Sequence, residues 1–382
     1  MGDYMAMFPV DAPLVAIVTP VYNGALFLEE AMESVQAQTY PNIVHIVLDN
    51  ASTDGTAALL DTFCVRNVRV LRYRNDTTLP ITDNWDRAFA FVPNDAVYVK
   101  LHCADDLMHP TCIEKFVALS EANPDVQVVS CQDVYCDMIR RANIPDNGNA
   151  IDNRVIDGRL AAKLIMDRSI CWLPYQHLFG RLAADDIGKP FFGTHKVGAD
   201  PHAMVRLVLR GDFGYIDEPL VYTRRHGRNF SDCLATDGRT PVFALQINMM
   251  LTTYFDIMLD FGKVCWPDEA YHRAKQFALA NIARTALRWK VKGYRLALED
   301  LRQSLESVGV TLRTAHYVRA IVGWPYYLLW VYRKSTKIGP SVDTEYFHPP
   351  IPQDYHAARA VHAEARWPAS APMISGSANA AW

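Results

Sequence analysis

The sequence predicts an α/β fold, a Rossmann-like, doubly wound mixed sheet followed by a C-terminal helical appendage. Three observations carry this. Over the first hundred residues, short apolar runs alternate with segments of helical periodicity, and such alternation builds a sheet covered by helices on both faces. Each run stops at a polar or acidic cluster: Thr19 to Asn23, Asp49-Asn50, and Cys103 to Asp106. Residues 244–334, by contrast, carry helical patterning throughout.

The elements follow in chain order. Leu14 to Thr19 is an apolar run stopped by Pro20, and Ile43 to Leu48 is another stopped by Asp49, the pattern of parallel strands buried on both faces. Between them Leu28, Ala31, Met32 and Val35 recur at helical spacing after the Asn23-Gly24 turn, completing a β-α-β unit. A helix is expected after Asp54-Gly55, through Ala58, Leu59 and Phe63. A strand from Val68 to Tyr73, a helix from Asn84 to Val92 and a strand from Ala96 to Leu101 should follow. From residue 112 to 240 the pattern loosens, with a strand expected at Val126 to Ser130 and a polar loop around Asn143 to Arg154. Helices are then expected at Leu245 to Phe261, Glu269 to Lys292 and Tyr294 to Val308. The resulting divisions are an N-terminal extension over 1–12, a sheet domain over 13–240, a helical region over 241–334 and a largely disordered, Pro- and Ala-rich tail over 335–382.

Composition narrows the function classes. A chain of 382 residues, half of them hydrophobic, buries a large core. A formal net charge of -4 supplies no basic face, so no nucleic-acid partner is expected. The eight cysteines form no C-x-x-C pair, which suits reduced thiols in the cytoplasm. The first residues lack a charged stretch followed by an apolar one, so no secretory signal is expected. Residues 318–332, VRAIVGWPYYLLWVY, are apolar and aromatic but short and interrupted by Pro325. They are a candidate for peripheral contact with a membrane, which would put the protein at its inner face.

Sheets of this class bind ligands beyond the carboxyl ends of their strands, so the three polar clusters should converge on one crevice. Neither G-x-G-x-x-G nor G-x-x-x-x-G-K-[ST] occurs. The phosphates of a nucleotide would therefore be held by carboxylates and a metal rather than by a glycine loop. The ordered set TPVYNGALFLEEAMESVQAQTYPNIVHIVLDNASTDGT, KLHCADDLMHP, Gly198-Ala199-Asp200 and Tyr222 to Ser231 resembles the family 2 glycosyltransferases of GT-A fold, from about residue 13 to 231.

The resemblance implies that Thr19, Pro20, Tyr22 and Asn23 line the base and ribose of a nucleoside diphosphate sugar, and that Asp49 accepts a hydrogen bond from the base. A fixed carboxylate suits the imide N–H of uracil or thymine and penalises bases without one. Taken alone, Asp49 serves equally to cap the next turn, and Thr19-Pro20 to end a strand. His102 to Asp106 stands where the family has D-x-D: Asp105 matches the Asp that holds a divalent cation, Mn²⁺ or Mg²⁺, on the diphosphate. Cys103 replaces the first Asp, and a thiol is a poor substitute for a hard oxygen ligand. Asp106 is either a supporting acceptor or the cap of a helix starting near Pro110. Asp200 takes the place of the general base, a position that an N-cap would also occupy. His226 matches a His that helps hold the metal. Arg224, with Arg225 and Arg228, forms a solvated basic cluster or screens the departing diphosphate. Trp85 offers a stacking face for a sugar or base, although an aromatic on an amphipathic helix more often packs in the core.

The function so implied is metal-dependent, inverting transfer of one sugar from a UDP- or dTDP-type donor to a hydroxyl of a carbohydrate or lipid-linked acceptor, in surface polysaccharide or glycoconjugate synthesis. The Q-x-x-R-W signature of processive polymerases is missing, since Leu287-Arg288-Trp289 lacks the Gln, which points to single-sugar transfer. Cys103 keeps open an alternative, a degenerate nucleotide-sugar-binding protein or assembly subunit without turnover. A nucleotidyltransferase would share the sheet but needs a glycine-rich phosphate loop where Pro20 to Gly24 stands.

Overall fold

The structure, a computed structural model, describes residues 12–66, 69–137, 142–145, 154–166, 179–183, 189–192, 199–226, 229 and 237–322. β1 (Leu14–Val21), α1 (Leu28–Gln36), β2 (Ile43–Asp49), α2 (Thr56–Arg66), β3 (Val70–Arg74), α3 (Ile81–Phe89) and β4 (Ala96–Leu101) alternate as the periodicity requires. The strands lie in the order β3-β2-β1-β4, all parallel. Val15, Ala16, Ile17 and Val18 are completely buried, which only a strand covered on both faces permits. Alternate residues serve different cores. Ala16, Val18, Ile46 and Leu48 pack with Ala88 and Phe89 of α3 on one side. Val15, Ile17 and Tyr98 pack with Ile113, Phe116 and Val117 on the other.

The second half completes the sheet with antiparallel insertions. It comprises β5 (Leu107–Met108), α4 (Cys112–Ala122), β6 (Val126–Asp137), β7 (Ala142–Pro145), β8 (Arg154–Ile156), α5 (Gly158–Met166), β9 (Phe179–Arg181), α6 (Ala199–Val208) and β10 (Asp212–Arg225). The order continues β4-β9-β6-β10-β5, with β9 antiparallel to both neighbours and β6 parallel to β10. The strand expected to stop at Ser130 runs on to Asp137. β10 has no counterpart in the periodicity, because Asp217, Glu218 and Pro219 interrupt its apolar pattern. The sheet absorbs them as register shifts between Ile216 and Val221.

α7 (Val242–Cys265), α8 (Asp268–Lys292), α9 (Arg295–Ser307) and α10 (Thr314–Val322) close the described chain. α8 ends where Gly293 takes a left-handed conformation, φ 72°, which glycine adopts without strain. α7 is long and apolar enough to cross a membrane, yet it serves as a core helix. It gives Tyr254, Ile257 and Met258 to the sheet core and Ala244, Leu245 and Phe255 to a second core with Trp289 and Leu301. Asn248 pins that second core: its amide donates to the Ala297 carbonyl at 2.6 Å and accepts from Trp289 Nε1 at 2.9 Å. The helical appendage is thus joined to the sheet through α7. The tail over 335–382 and nearly all of the 1–12 extension lie outside the described residues, as does 323–332 of the aromatic segment.

Candidate active site

The carboxyl ends of β1, β2, β3, β4 and β10 lie along one edge of the sheet, where a fold of this class has its crevice, and the first wall there is a hydrogen-bonded platform. Asn23 and Ala51 both adopt positive φ, 51° and 56°, and turn their loops toward one another. Asn23 N donates to Ser52 Oγ at 2.9 Å and Asn23 Oδ1 accepts from Thr53 N at 2.9 Å. Gly24 N donates to Thr56 Oγ1 at 2.9 Å. A Cβ on Gly24 would sit 2.5 Å from Val21 Cγ2, so the turn tolerates no side chain there. Beneath lies an amide cluster, in which Asn75 Nδ2 donates to Asn50 Oδ1 at 2.8 Å and to Asn84 Oδ1 at 2.9 Å. Asn75 Oδ1 is buried with no partner among the described residues.

The residues expected to contact the base and ribose divide here. Tyr22 is 52% exposed at the crevice mouth and Asn23 is exposed beside it, while Pro20 is buried. Thr19 is completely buried and its hydroxyl is bonded to His45 at 2.9 Å, so it supports the strand end from within and offers no surface to a ligand. Asp49 is also fully covered: Oδ1 accepts from Ser52 N at 2.9 Å and Oδ2 pairs with Arg74. The side chain that faces outward at this point is Arg74, 41% exposed. Sequence reasoning missed it, although its place at the end of β3 matches that of Asp49 at the end of β2. Trp85 is half-buried and packs edge-on against Phe192 at 5.2 Å beside the sheet core.

The second wall gathers charge. Asp105 Oδ2 accepts from His226 Nε2 at 3.1 Å and from Asn229 Nδ2 at 3.0 Å. The two elements that carry these residues are 121 positions apart in sequence. Asp106 is buried, and its Oδ1 accepts from the Arg224 backbone N–H at 2.9 Å. The helix α4 starts at Cys112 behind Thr111, so Asp106 ties the β4 turn to β10 and caps nothing. Burial and the neighbouring Asp105 carboxylate raise its affinity for a proton well above the usual range. Cys103 is held as a neutral thiol for similar reasons, burial first and then Asp106, Asp105 and, more weakly, Asp200. Below them Lys100, completely buried, donates from Nζ to the Leu101 carbonyl at 3.1 Å.

Arg224 is a brace rather than a free cation. Its guanidinium pairs with Glu30, donates to the carbonyls of Asp105 and Phe27, and lies over the Phe27 ring at 4.8 Å. With 5% of its surface exposed, it neither forms a solvated cluster nor faces a departing diphosphate. The same Phe27 ring stacks on His226 at 4.2 Å, which fixes the imidazole plane so that Nε2 points at Asp105.

Asp200 lies inside the first turn of α6, with its helix buried against the sheet core. Part of its surface stays accessible, yet burial dominates and its carboxyl is pushed up to about 7. Its charge adds weakly to the field at Cys103. The donor set fits a hard divalent cation. The ligand atoms of Cys103, Asp105 and Asp106 lie within 4.8 Å of one another, an imidazole adjoins them, and the repulsion between the two carboxyls is what a cation would relieve. Asp105 and His226 would hold it. Cys103, a neutral thiol, adds a weak ligand at best.

Comparison with known proteins gives a family likeness for the first part of the sheet domain. Residues 16–177 match the family model described as Glycosyl transferase family 2. EpsE of Bacillus subtilis is 30% identical over 118 residues, 31% of this chain and 42% of that protein. Glycosyltransferase GlyG of Streptococcus pneumoniae is 30% identical over 118 residues, 30% of this chain and 38% of that protein. The chain therefore spans less than half the length of these curated relatives. Among solved structures, S. aureus TarS 1-349 in complex with UDP-GlcNAc superposes with a TM-score of 0.58 over 93% of each chain, at 13% identity. That likeness is one of fold.

Proposed function

We propose, from the premise that this chain belongs to the family 2 glycosyltransferases and has the GT-A fold, that it moves one sugar from a nucleoside diphosphate sugar to an acceptor hydroxyl with inversion. The observation that carries the reading is Asp105, at the turn after β4, held by His226 and Asn229 from beyond the end of β10, with Asp106 and Cys103 beside it. Asp200 takes the proton of the acceptor hydroxyl as its oxygen attacks the anomeric carbon. The bond from that carbon to the diphosphate breaks on the opposite face, and its electron pair leaves with the nucleotide. A carboxylate pushed up to about 7 is a competent base near neutral pH while still largely ionised above it. Asp105 and His226 would hold a divalent cation, which would supply Lewis-acid stabilisation of the charge on the leaving diphosphate.

On the other wall, Arg74 faces the base and the buried Asp49 only holds it in place, so the direct base contact expected of Asp49 passes to Arg74, while Tyr22 and Asn23 border the ribose. The fully ordered platform of Asn23, Ser52 and Thr56 presents them without further cost on binding. The exposed Arg74 guanidinium would donate to a carbonyl oxygen of uracil or thymine. S. aureus TarS 1-349, which shares the fold, is seen with UDP-GlcNAc, and a UDP- or dTDP-type donor is the class proposed here. The acceptor is a carbohydrate or lipid-linked hydroxyl of surface glycoconjugate synthesis.

Thermal shift of the full chain against UDP- and dTDP-sugars, with and without Mn²⁺ or Mg²⁺, tests donor binding. A ligand at a hundred times its dissociation constant stabilises by about 2.7 kcal/mol. No shift with any such donor and cation would sink the reading. The neutral Cys103 thiol in the D-x-D position favours one second reading, a binding protein without turnover. Donor binding with no metal-dependent release of UDP, whether to acceptors or to water, would establish that alternative.

A further inference from the structure

We propose that α10 docks this protein on an anionic lipid surface. Val318, Ile321 and Val322 of α10 are 53%, 61% and 71% exposed, and their i, i+3, i+4 spacing places them on one helical face. The opposite face is anchored: His316 and Ala320 are buried, and Arg284 of α8 donates to the Ala320 carbonyl at 3.1 Å. The apolar stripe is therefore held outward by a fixed helix.

Charge identifies the occupant. No Asp or Glu occurs between Glu306 and Asp343, whereas Arg313, Arg319, Arg333, Lys334 and Lys337 all do, in a chain whose formal net charge is -4. The sequence directly after α10 carries Trp324, Tyr326, Tyr327, Trp330 and Tyr332, residue types that settle at the boundary between headgroups and acyl chains. Apolar stripe, basic residues and interfacial aromatics are the combination that binds lipid in the plane of the bilayer. A second copy is disfavoured, since a symmetric contact would set these cations against their own duplicates. The inference is independent of the transferase reading, because lipid binding is measured with neither donor nor acceptor present.

Co-sedimentation of the full chain with phosphatidylcholine vesicles, with and without about one third phosphatidylglycerol, tests it. The wild type should pellet with the anionic vesicles at low salt and be released at high salt. Val318→Asp/Ile321→Asp/Val322→Asp should lower the bound fraction roughly tenfold or more with an unchanged melting temperature. Arg313→Glu/Arg319→Glu, which leaves the stripe intact, should weaken binding to the anionic vesicles alone. Wild-type protein that stays in the supernatant, equal binding to neutral vesicles, or a triple variant that pellets like wild type would each overturn the proposal. So would a lipid-free dimer in sedimentation velocity that the triple variant turns into a monomer.

Discussion

The two walls of the crevice are built on opposite plans. At the ends of β1, β2 and β3, polar groups meet complementary partners: Asn23 with Ser52 and Thr53, Gly24 with Thr56, Asn75 with Asn50 and Asn84, and Asp49 with Arg74. At the ends of β4 and β10, like charges are crowded instead. Asp105 stands beside Asp106 and a neutral thiol: burial and the Asp105 carboxylate raise the proton affinity of Asp106, burial and both carboxylates that of Cys103, and burial alone that of Asp200 on α6. A network paired in all but Asn75 Oδ1 is rigid, and suits recognition of a ligand that must fit the same way each time. A strained set of charges is unstable until a cation or proton arrives, and suits chemistry. On the proposed reading, binding and reaction fall to different strands of one sheet.

Substitutions on the charged wall should fall hardest. Asp105→Ala removes the hard ligand and the acceptor that orients His226 and Asn229. Mn²⁺-dependent binding of UDP should vanish in calorimetry, and transfer should fall by about 10³ or more. Unchanged affinity with metal would break the assignment of this wall to the cation. Asp200→Asn should come next, leaving donor binding intact while cutting single-turnover transfer by ~10² or more.

The pH dependence sharpens the role of Asp200. Its folded carboxyl is pushed up to about 7, whereas the unfolded group ionises near about 3.9. Only the ionised form accepts a proton, so kcat/KM should climb as pH rises toward about 7 and level off above it. Between the two values the unfolded chain binds fewer protons than the folded one, so this group's contribution to stability falls as pH rises through that window. Asp200→Asn should remove the fall, and melting temperatures from pH 4 to 8 would show it. A decline that persists unaltered in the Asn variant would locate its cause elsewhere.

The platform wall should respond in binding and stability and spare the chemical step. Asp49→Asn weakens the pairing with Arg74 across the base site. UDP affinity should drop about tenfold, with about 1–3 kcal/mol lost from folding, and metal dependence should be retained. Loss of metal dependence in this variant would show that the walls are not separable. The smallest effect should come from Asn84→Ala, which strips one acceptor from Asn75. About 1 kcal/mol of stability should go, read as a lower melting temperature, while kcat stays as in wild type.

Much of the platform side was readable in order along the chain. Val15 to Val18 and Ile46 to Leu48 announce buried parallel strands because each residue's burial follows from its own apolar side chain and its neighbours. Leu28, Ala31, Met32 and Val35 likewise declare a helix, and the clusters at Asp49 and Cys103 to Asp106 fall at strand ends by simple counting. The positions of Asp105, Asp200 and His226 came from motif order, not from any periodicity.

Contacts across the fold were decided elsewhere. Nothing near Asp106 in sequence says that it will bind the backbone of Arg224, 118 residues away, or that Arg224 will spend its charge on Glu30 instead of a diphosphate. Thr19 and Asp49 sit at the expected strand ends, yet whether each faces the crevice or the interior depends on His45 and Arg74 from neighbouring strands. β10 exists as one long strand only because β6 and β5 flank it and absorb its register shifts. Local pattern is set by side chains a few residues apart, and the sequence by itself determined that much. Which polar group ends beside which is set by strand order and register, and only the packed sheet decided it, because a partner's charge acts through space and not along the chain.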